Sequence, residues 1–390
     1  MIKRIIILAS FFWGGSQIII SQSKTVDLPV IDISKTYPKI EKRLQDIADI
    51  EYIPLETTDD ILLSDHDALS YVSDKYLMVH AIVRGDIFVF NRNGTIYSHF
   101  NHKGQSGREY SWIKGGVIFD ENNEEIFVCS QSIQVYSLTG EYKRTLKINT
   151  MDNEMKVFNF DDEELLVYDD VNVDPFLKGD YKTNPYSLIS KKDGSLISVL
   201  DIHLPKRYST RIAQIDDKGR WAPRQIYYPC SMNFGPDFVI ADISSDTLYL
   251  LTQSKELRPL LIRTPSVHSS EPRLIWVTFF ATEKFVLIGK FPIDFNSRGG
   301  GGRISCLMYE FETGETRAWT GIDVDAEITK RSWTPLGISS NEKNMTAQLI
   351  WPSSIIIAYK TKQLKGDIEK IAMTLNEDDN PVVRIIKFKE

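Results

Sequence analysis

From residue 50 onward, apolar positions alternate with polar ones in runs of four to seven residues, and those runs are rich in Val, Ile, Phe and Tyr. Alternation of period two puts successive side chains on opposite faces, so the pattern predicts strands covered on at least one side. Helical spacing is confined to two stretches. Ser34 to Asp49 carries Ile40, Leu44 and Ile47, and Thr361 to Leu375 carries Leu364, Ile368, Ile371, Ala372 and Leu375 on one face.

A hairpin recurs along the strand-rich region. Its copies are Ile87 to Phe100 (IFVFNRNGTIYSHF), Ile133 to Leu146 (IQVYSLTGEYKRTL), Ser187 to Leu200 (SLISKKDGSLISVL), Thr247 to Leu261 (TLYLLTQSKELRPLL), Leu307 to Trp319 (LMYEFETGETRAW) and, as a single strand, Asn380 to Phe388 (NPVVRIIKF). Gly94, Gly140, Gly194 and Gly314 stand where a tight hairpin needs positive φ, which glycine adopts without strain. The fourth copy has Ser254, Lys255 and Glu256 there, which predicts a turn of another type. Propeller blades take about 40 to 50 residues each, the order of the spacing between these turns, so six hairpins predict six blades. The lone strands Ile50 to Leu55 and Val382 to Phe388 then share a sheet and close the ring, which removes exposed edges. The expected fold is therefore an all-β, six-bladed β-propeller closed by N- and C-terminal strands, with a short C-terminal helix insertion. An open pair of β-sandwich sheets is the alternative, but it has no reason to repeat one hairpin six times.

Tyr52 to Thr57 (YIPLET), Lys103, Gly104, Gln105, Glu109 and Tyr110 in a connecting loop, and Asp379, Asn380 and Pro381 before the last strand resemble motifs of the NHL-like six-bladed propeller family of exported proteins of Gram-negative gut-type bacteria. The likeness covers about residues 48–390. It departs from the family at Ser106, Gly107 and Arg108, where the family has Gly-Pro-Gly, and at Cys129, which replaces an aspartate. The resemblance implies a fold and an exported location, not a chemistry.

The N-terminus begins with Lys3 and Arg4, continues through an apolar stretch to Ile20, and turns polar at Ser21. That order reads as a signal peptide, with a membrane anchor as the alternative. Residues 1–22 are assigned to the signal peptide, 23–47 to an N-terminal lead segment and 48–390 to the propeller. No cysteine lies in residues 1–30, so the expectation is a periplasmic or secreted protein, not a lipoprotein, with no integral membrane span after cleavage. A formal charge of −7 argues against nucleic acid as a partner. Three scattered cysteines, Cys129, Cys230 and Cys306, suit buried thiols better than a disulfide framework or zinc site, with a Cys230 to Cys306 bridge as the alternative.

Three regions carry candidate chemistry. In the loop His102 to Tyr110, Gly104, Gln105, Glu109 and Tyr110 read as structural, with Glu109 accepting loop hydrogen bonds and Tyr110 packed between blades. The long stretch His203 to Phe234 concentrates Arg207, Tyr208, Arg211, Trp221, Arg224, Tyr227 and Tyr228, and arginine with aromatics is the composition of interfaces and of anion or carbohydrate sites. Arg298 to Arg303 (RGGGGR) lacks the Lys-Ser/Thr ending of a phosphate loop and reads as a surface loop. The six histidines show no metal-ligand spacing, no Gly-x-Ser-x-Gly elbow is present, and acidic runs such as Asp161 to Glu164 lack calcium-loop spacing. The expectation is a non-catalytic binding or protein-interaction module using one face of the ring. It has no cofactor, no metal and no catalytic residues, and its partner is a small molecule, glycan or envelope protein. A metal-dependent propeller hydrolase or lyase acting on a small ester or glycan is the alternative, and a scaffold for an envelope complex the third reading.

Overall fold

The computed structural model describes residues 28–389 apart from 114, 149–153, 171–181, 209–210, 216–220, 226–228, 271–272, 294–304, 326–337 and 340–343. The signal-peptide assignment and the RGGGGR loop lie outside the described residues. The chain opens with β1 (Val30–Asp32), β2 (Lys39–Arg43), the four-residue α1 (Leu44–Ile47) and β3 (Ala48–Pro54). Blade 1 follows as β4 (Asp67–Val72), β5 (Tyr76–Ala81), β6 (Asp86–Asn91) and β7 (Ile96–Asn101). Blade 2 is β8 (Gly116–Asp120), β9 (Glu125–Cys129), β10 (Ile133–Ser137) and β11 (Tyr142–Leu146). Blade 3 is β12 (Glu154–Asn159), β13 (Glu164–Asp170), β14 (Tyr186–Ser190) and β15 (Leu196–Val199). A separate hairpin, β16 (Arg211–Ile215) and β17 (Trp221–Gln225), interrupts the connection to blade 4.

Blade 4 is β18 (Ser231–Phe234), β19 (Asp237–Ile240), β20 (Thr247–Leu251) and β21 (Leu257–Thr264). Blade 5 is β22 (Arg273–Ala281), β23 (Phe285–Ile293), β24 (Ser305–Glu310) and β25 (Thr316–Ile322). Blade 6 has β26 (Ile338–Ser339) and β27 (Met345–Ile350), then helices α2 (Pro352–Lys360) and α3 (Gly366–Ala372), and β28 (Val382–Phe388). Its outer strand is β3, paired antiparallel with β28 from Val382 opposite Pro54 to Phe388 opposite Ala48. The first strands β4, β8 and β12 of blades 1 to 3 touch in succession, and β26 and β27 touch β4, so the sheets radiate from a common axis as a closed six-bladed β-propeller.

The recurring hairpin is the outer half of each blade. In the sixth blade its missing partner comes from the N-terminus. Middle strands such as β5, β9 and β13 are nearly continuous apolar runs, because both of their faces meet neighbouring blades. The core is accordingly a relay of layers between blades rather than one mass. Phe88, Leu77 and Leu69 of blade 1 pack on Val383 and Ile385 of blade 6, and Phe119 and Tyr136 of blade 2 pack on Ile87 and Phe100 of blade 1.

The residues before β3 do not stand apart from the sheets. β1 lies parallel to β21 as a fifth strand of blade 4, with Val30 opposite Ile262. β2 lies parallel to β25 as a fifth strand of blade 5, with Lys39 opposite Ala318. The middle residues of the three N-terminal strands, Ile31, Glu41 and Glu51, are evenly spaced, so this strap laces three successive blades along their rims. The helix expected over Ser34 to Asp49 is thus mostly strand. Lys39 to Arg43 alternates exposed and half-buried residues, and the open edge of blade 5 satisfies its backbone, which an isolated short helix cannot match. The helix expected over Thr361 to Leu375 narrows to α3, because Lys362 and Gly366 both take positive φ, and α2 precedes it.

The turn glycines take the expected conformation, with φ from +69 to +88 at Gly94, Gly140, Gly194 and Gly314. The fourth turn corrects the expectation of a different type. Lys255 adopts φ +64, and the bonds from Lys255 N to Thr252 O and from Thr252 N to Glu256 O repeat those of Gly94 to Asn91 and Asn91 to Thr95. Its ammonium lies 2.5 Å from the buried Glu164 carboxylate of blade 3, an attraction that holds a lysine where glycine is the easier choice.

Two of the quoted motifs meet where the ring closes. Asn380, buried, accepts from Leu63 N at 2.8 Å and donates to Glu56 O and Ile61 O, each at 2.7 Å, while its own N–H bonds Thr57 Oγ1. Glu56 in turn accepts from Ile96 N of blade 1.

Candidate functional site

The turns between first and second strands of blades 1 to 4 converge on one face of the ring. They enclose a cleft of about 620 Å³. Blade 1 supplies Tyr71, Ser73, Asp74 and Lys75, and blade 2 supplies Asp120, Glu121 and Asn122. Asn159, Phe160, Asp161 and Asp162 follow from blade 3, and Asn233, Gly235, Pro236, Phe238 and Gln253 from blade 4. Five carboxylates face a single lysine in this lining.

Most of those carboxylates also hold blades together. Glu121 accepts from Tyr71 at 3.0 Å and Ser73 at 2.5 Å and lies 3.3 Å from Lys75, clasping blade 2 to blade 1. Asp120 is buried against the Lys191 ammonium of blade 3, which also donates to Asp161 O. Asp161 caps its own turn by accepting from Glu163 N and Glu164 N. Asp162 accepts from Asn122 at 2.8 Å and makes no ion pair among the described residues, nor does Asp74. The buried Oδ1 of Asn159 has no hydrogen-bond partner among the described residues. Phe160 and Phe238 stack at 5.6 Å between centroids and give the cleft an apolar wall. An acceptor-rich pocket of this kind suits a donor-bearing, cationic group on an apolar body.

Of the arginine-aromatic candidates, Arg207 and Tyr208 lie on the connection from blade 3 to blade 4. Arg207 is buried. It donates to Tyr168 Oη at 3.0 Å and Asp169 O at 2.7 Å, and lies 3.6 Å from the Asp242 carboxylate, which Tyr168 also bonds. The guanidinium therefore joins blades 3 and 4 and faces no solvent. Tyr208 is half-buried, with Arg273 4.3 Å from its ring centroid and its hydroxyl 3.2 Å from His268 Nδ1. Arg211, Trp221 and Arg224 belong to the β16–β17 hairpin, while Tyr227 and Tyr228 lie outside the described residues.

In the loop before blade 2, Glu109 accepts from Ser106 N and folds over Gly104, where a Cβ would meet its carboxylate at 2.0 Å. Those hydrogen bonds, from the Ser106 backbone first, hold the Glu109 carboxyl below its usual range. Tyr110 is fully buried between blades 1 and 2 and donates to Gly85 O at 2.6 Å. Gln105 is exposed on the same loop.

Catalytic constellations are sparse. Ser70, at a β-bulge in β4, bonds His80 Nδ1, but no carboxylate bonds that imidazole among the described residues. No group of three or more metal-ligating side chains occurs among the described residues. The cysteines are free thiols, and burial pushes Cys230 up to about 12 and Cys306 up to about 11, which keeps them protonated and unreactive.

The cleft was not foreseen from sequence. Its residues sit in short acidic turns that read as solvated, and only the ring brings four such turns together.

A closed ring of six sheets, sealed by an N-terminal strand and hollowed at one mouth, defines the class as a six-bladed β-propeller. The chain belongs to the family described as "Domain of unknown function (DUF4934)", which matches residues 28–387. A Bacteroides fragilis protein whose description includes "exported protein" is similar in structure, with a TM-score of 0.62 and 14% identity over 93% of this chain and 100% of that one. A DUF4221 member from Bacteroides vulgatus matches at TM-score 0.44 and 9% identity over 88% of this chain and 97% of that one. A virginiamycin B lyase from Staphylococcus aureus matches at 0.30 and 12% over 67% and 95%. No curated protein matches the chain. Among the described residues, no helix is long and apolar enough to cross a membrane.

Proposed function

We propose that this propeller is an exported binding module, released into the periplasm or beyond after loss of residues 1–22, that holds a cationic ligand in the acidic cleft. The single observation behind this reading is the lining itself: Asp74, Glu121, Asp161, Asp162 and the Asn159 acceptor, unpartnered among the described residues, against one lysine, beside a stacked phenylalanine pair. Basic side chains of a peptide fit that chemistry. The NHL-like resemblance and the structural relative whose description includes "exported protein" support the location.

The test is calorimetric titration of the full chain with a short Lys/Phe peptide and with its Glu/Phe counterpart. Binding of the basic peptide should weaken about tenfold in Asp74→Asn/Asp162→Asn and fall with salt, as exposed charge pairing does. Equal binding of both peptides, or no effect of the double substitution, overturns the reading. Stoichiometric metal in the purified protein, lost together with a hydrolytic activity, favours the enzyme instead.

A further inference from the structure

The outer edges of the six blades are not treated alike. Blades 4, 5 and 6 receive β1, β2 and β3 from the strap. Blades 1, 2 and 3 end at β7, β11 and β15, and no described strand pairs beyond them. β11 presents Lys143 and Arg144, and β7 presents Ser98, His99 and Asn101, polar or charged groups of the kind that discourage pairing with a foreign strand. β15 lacks that protection. Its Leu-Ile-Ser-Val sequence is uncharged, and Leu196, Ile197 and Val199 are 63%, 45% and 50% exposed. Every other outermost strand exposes at most one large apolar side chain among the described residues.

We propose that β15 is a docking edge for an extended segment of a partner polypeptide, which joins blade 3 as a parallel fifth strand of alternating, uncharged sequence. The corresponding rims of the next two blades already hold parallel fifth strands. β1 on blade 4 buries Ile31 fully while its neighbour Val30 stays exposed, so backbone pairing and alternate side chains grip the guest together. β2 on blade 5 repeats the parallel arrangement over five residues. A peptide edge also fits the size of the site. Four residues of strand fall well short of the roughly 1,200 Å² that a stable interface between folded proteins buries, which disfavours a second copy as the occupant.

The experiment uses the full chain and a fluorescent eight-residue peptide of alternating valine and threonine with a lysine at each end, followed by anisotropy. Saturable binding is expected, weakened at least about tenfold by Ile197→Lys and by Val199→Pro, which removes an edge N–H at the position equivalent to Ile262, whose N–H bonds Pro29 O ahead of β1 on blade 4. Tyr97→Lys on β7 and the cleft substitution Asp74→Asn/Asp162→Asn should leave it unchanged, so this edge and the cleft stand or fall separately. Ile197 is largely exposed, so unchanged far-ultraviolet dichroism in Ile197→Lys confirms that the fold is kept. Unsaturated binding at millimolar peptide, or equal affinity in the β15 variants, overturns the proposal. So does a concentration-dependent dimer abolished by Ile197→Lys, which would make a second copy the occupant.

Discussion

His80 shows how one buried side chain couples this fold to pH. It lies on β5, and burial alone pulls its pKa from 6.5 down to about 4. Between those values the unfolded chain takes up a proton that the folded chain refuses. This contribution is therefore fully present above pH 6.5 and is lost as pH falls toward 4, the loss reaching about 2 kcal/mol at pH 5. Urea unfolding at pH 7 and pH 5 checks it: His80→Asn should lose less stability between the two than the parent, and an identical loss in both would contradict the assignment. At this scale the glycine turns were legible in the sequence, because positive φ has a chemical signature. Lys255 was not, since its compensation comes from Glu164, 91 residues earlier in the chain and on another blade. The buried position of Arg207 was equally hidden: its composition is that of a binding surface, and only Asp242 and Tyr168, brought beside it by folding, make it a clasp.

Among the elements, the strap departs furthest from its reading as a lead segment. Its first two strands are only three and five residues long, so no periodicity long enough to mark strands appears. What makes them strands is the backbone edge of blades 4 and 5, which lies more than 200 residues away along the chain. Ile31 and Ile33 sit fully buried against Leu248, Leu261 and Trp276. Replacing Ile31 with alanine should cost about 3 kcal/mol, as large-to-small changes in packed cores do. Val30→Ala, one residue away but 59% exposed, should cost under about 0.5 kcal/mol. Guanidinium midpoints of the two variants distinguish an anchored strand from a loosely laid one, for which both losses would be small.

Across the whole molecule, the seal between first and last strands rests on more than β3 and β28. Asn380 gathers three partners from the connection that leads into blade 1, and each would be left unpaired in Asn380→Ala. That substitution should cost about 3 kcal/mol or more, read as a fall in the thermal midpoint with the single cooperative transition retained. A neutral result would mean that the ring is held without this bracket. The number of blades and their closure were legible because the hairpin repeats and the unpaired end strands had to be reconciled. The cleft was not, because four distant acidic turns share no pattern until the circle brings them together. The strap also sets an order of assembly. Residues near 30 are synthesised first, yet the edges that receive them belong to blades 4, 5 and 6, which are made last. A chain emerging in sequence must carry its opening segment unplaced until the final third has formed, so trimming a few dozen residues from the front would loosen the back half of the protein.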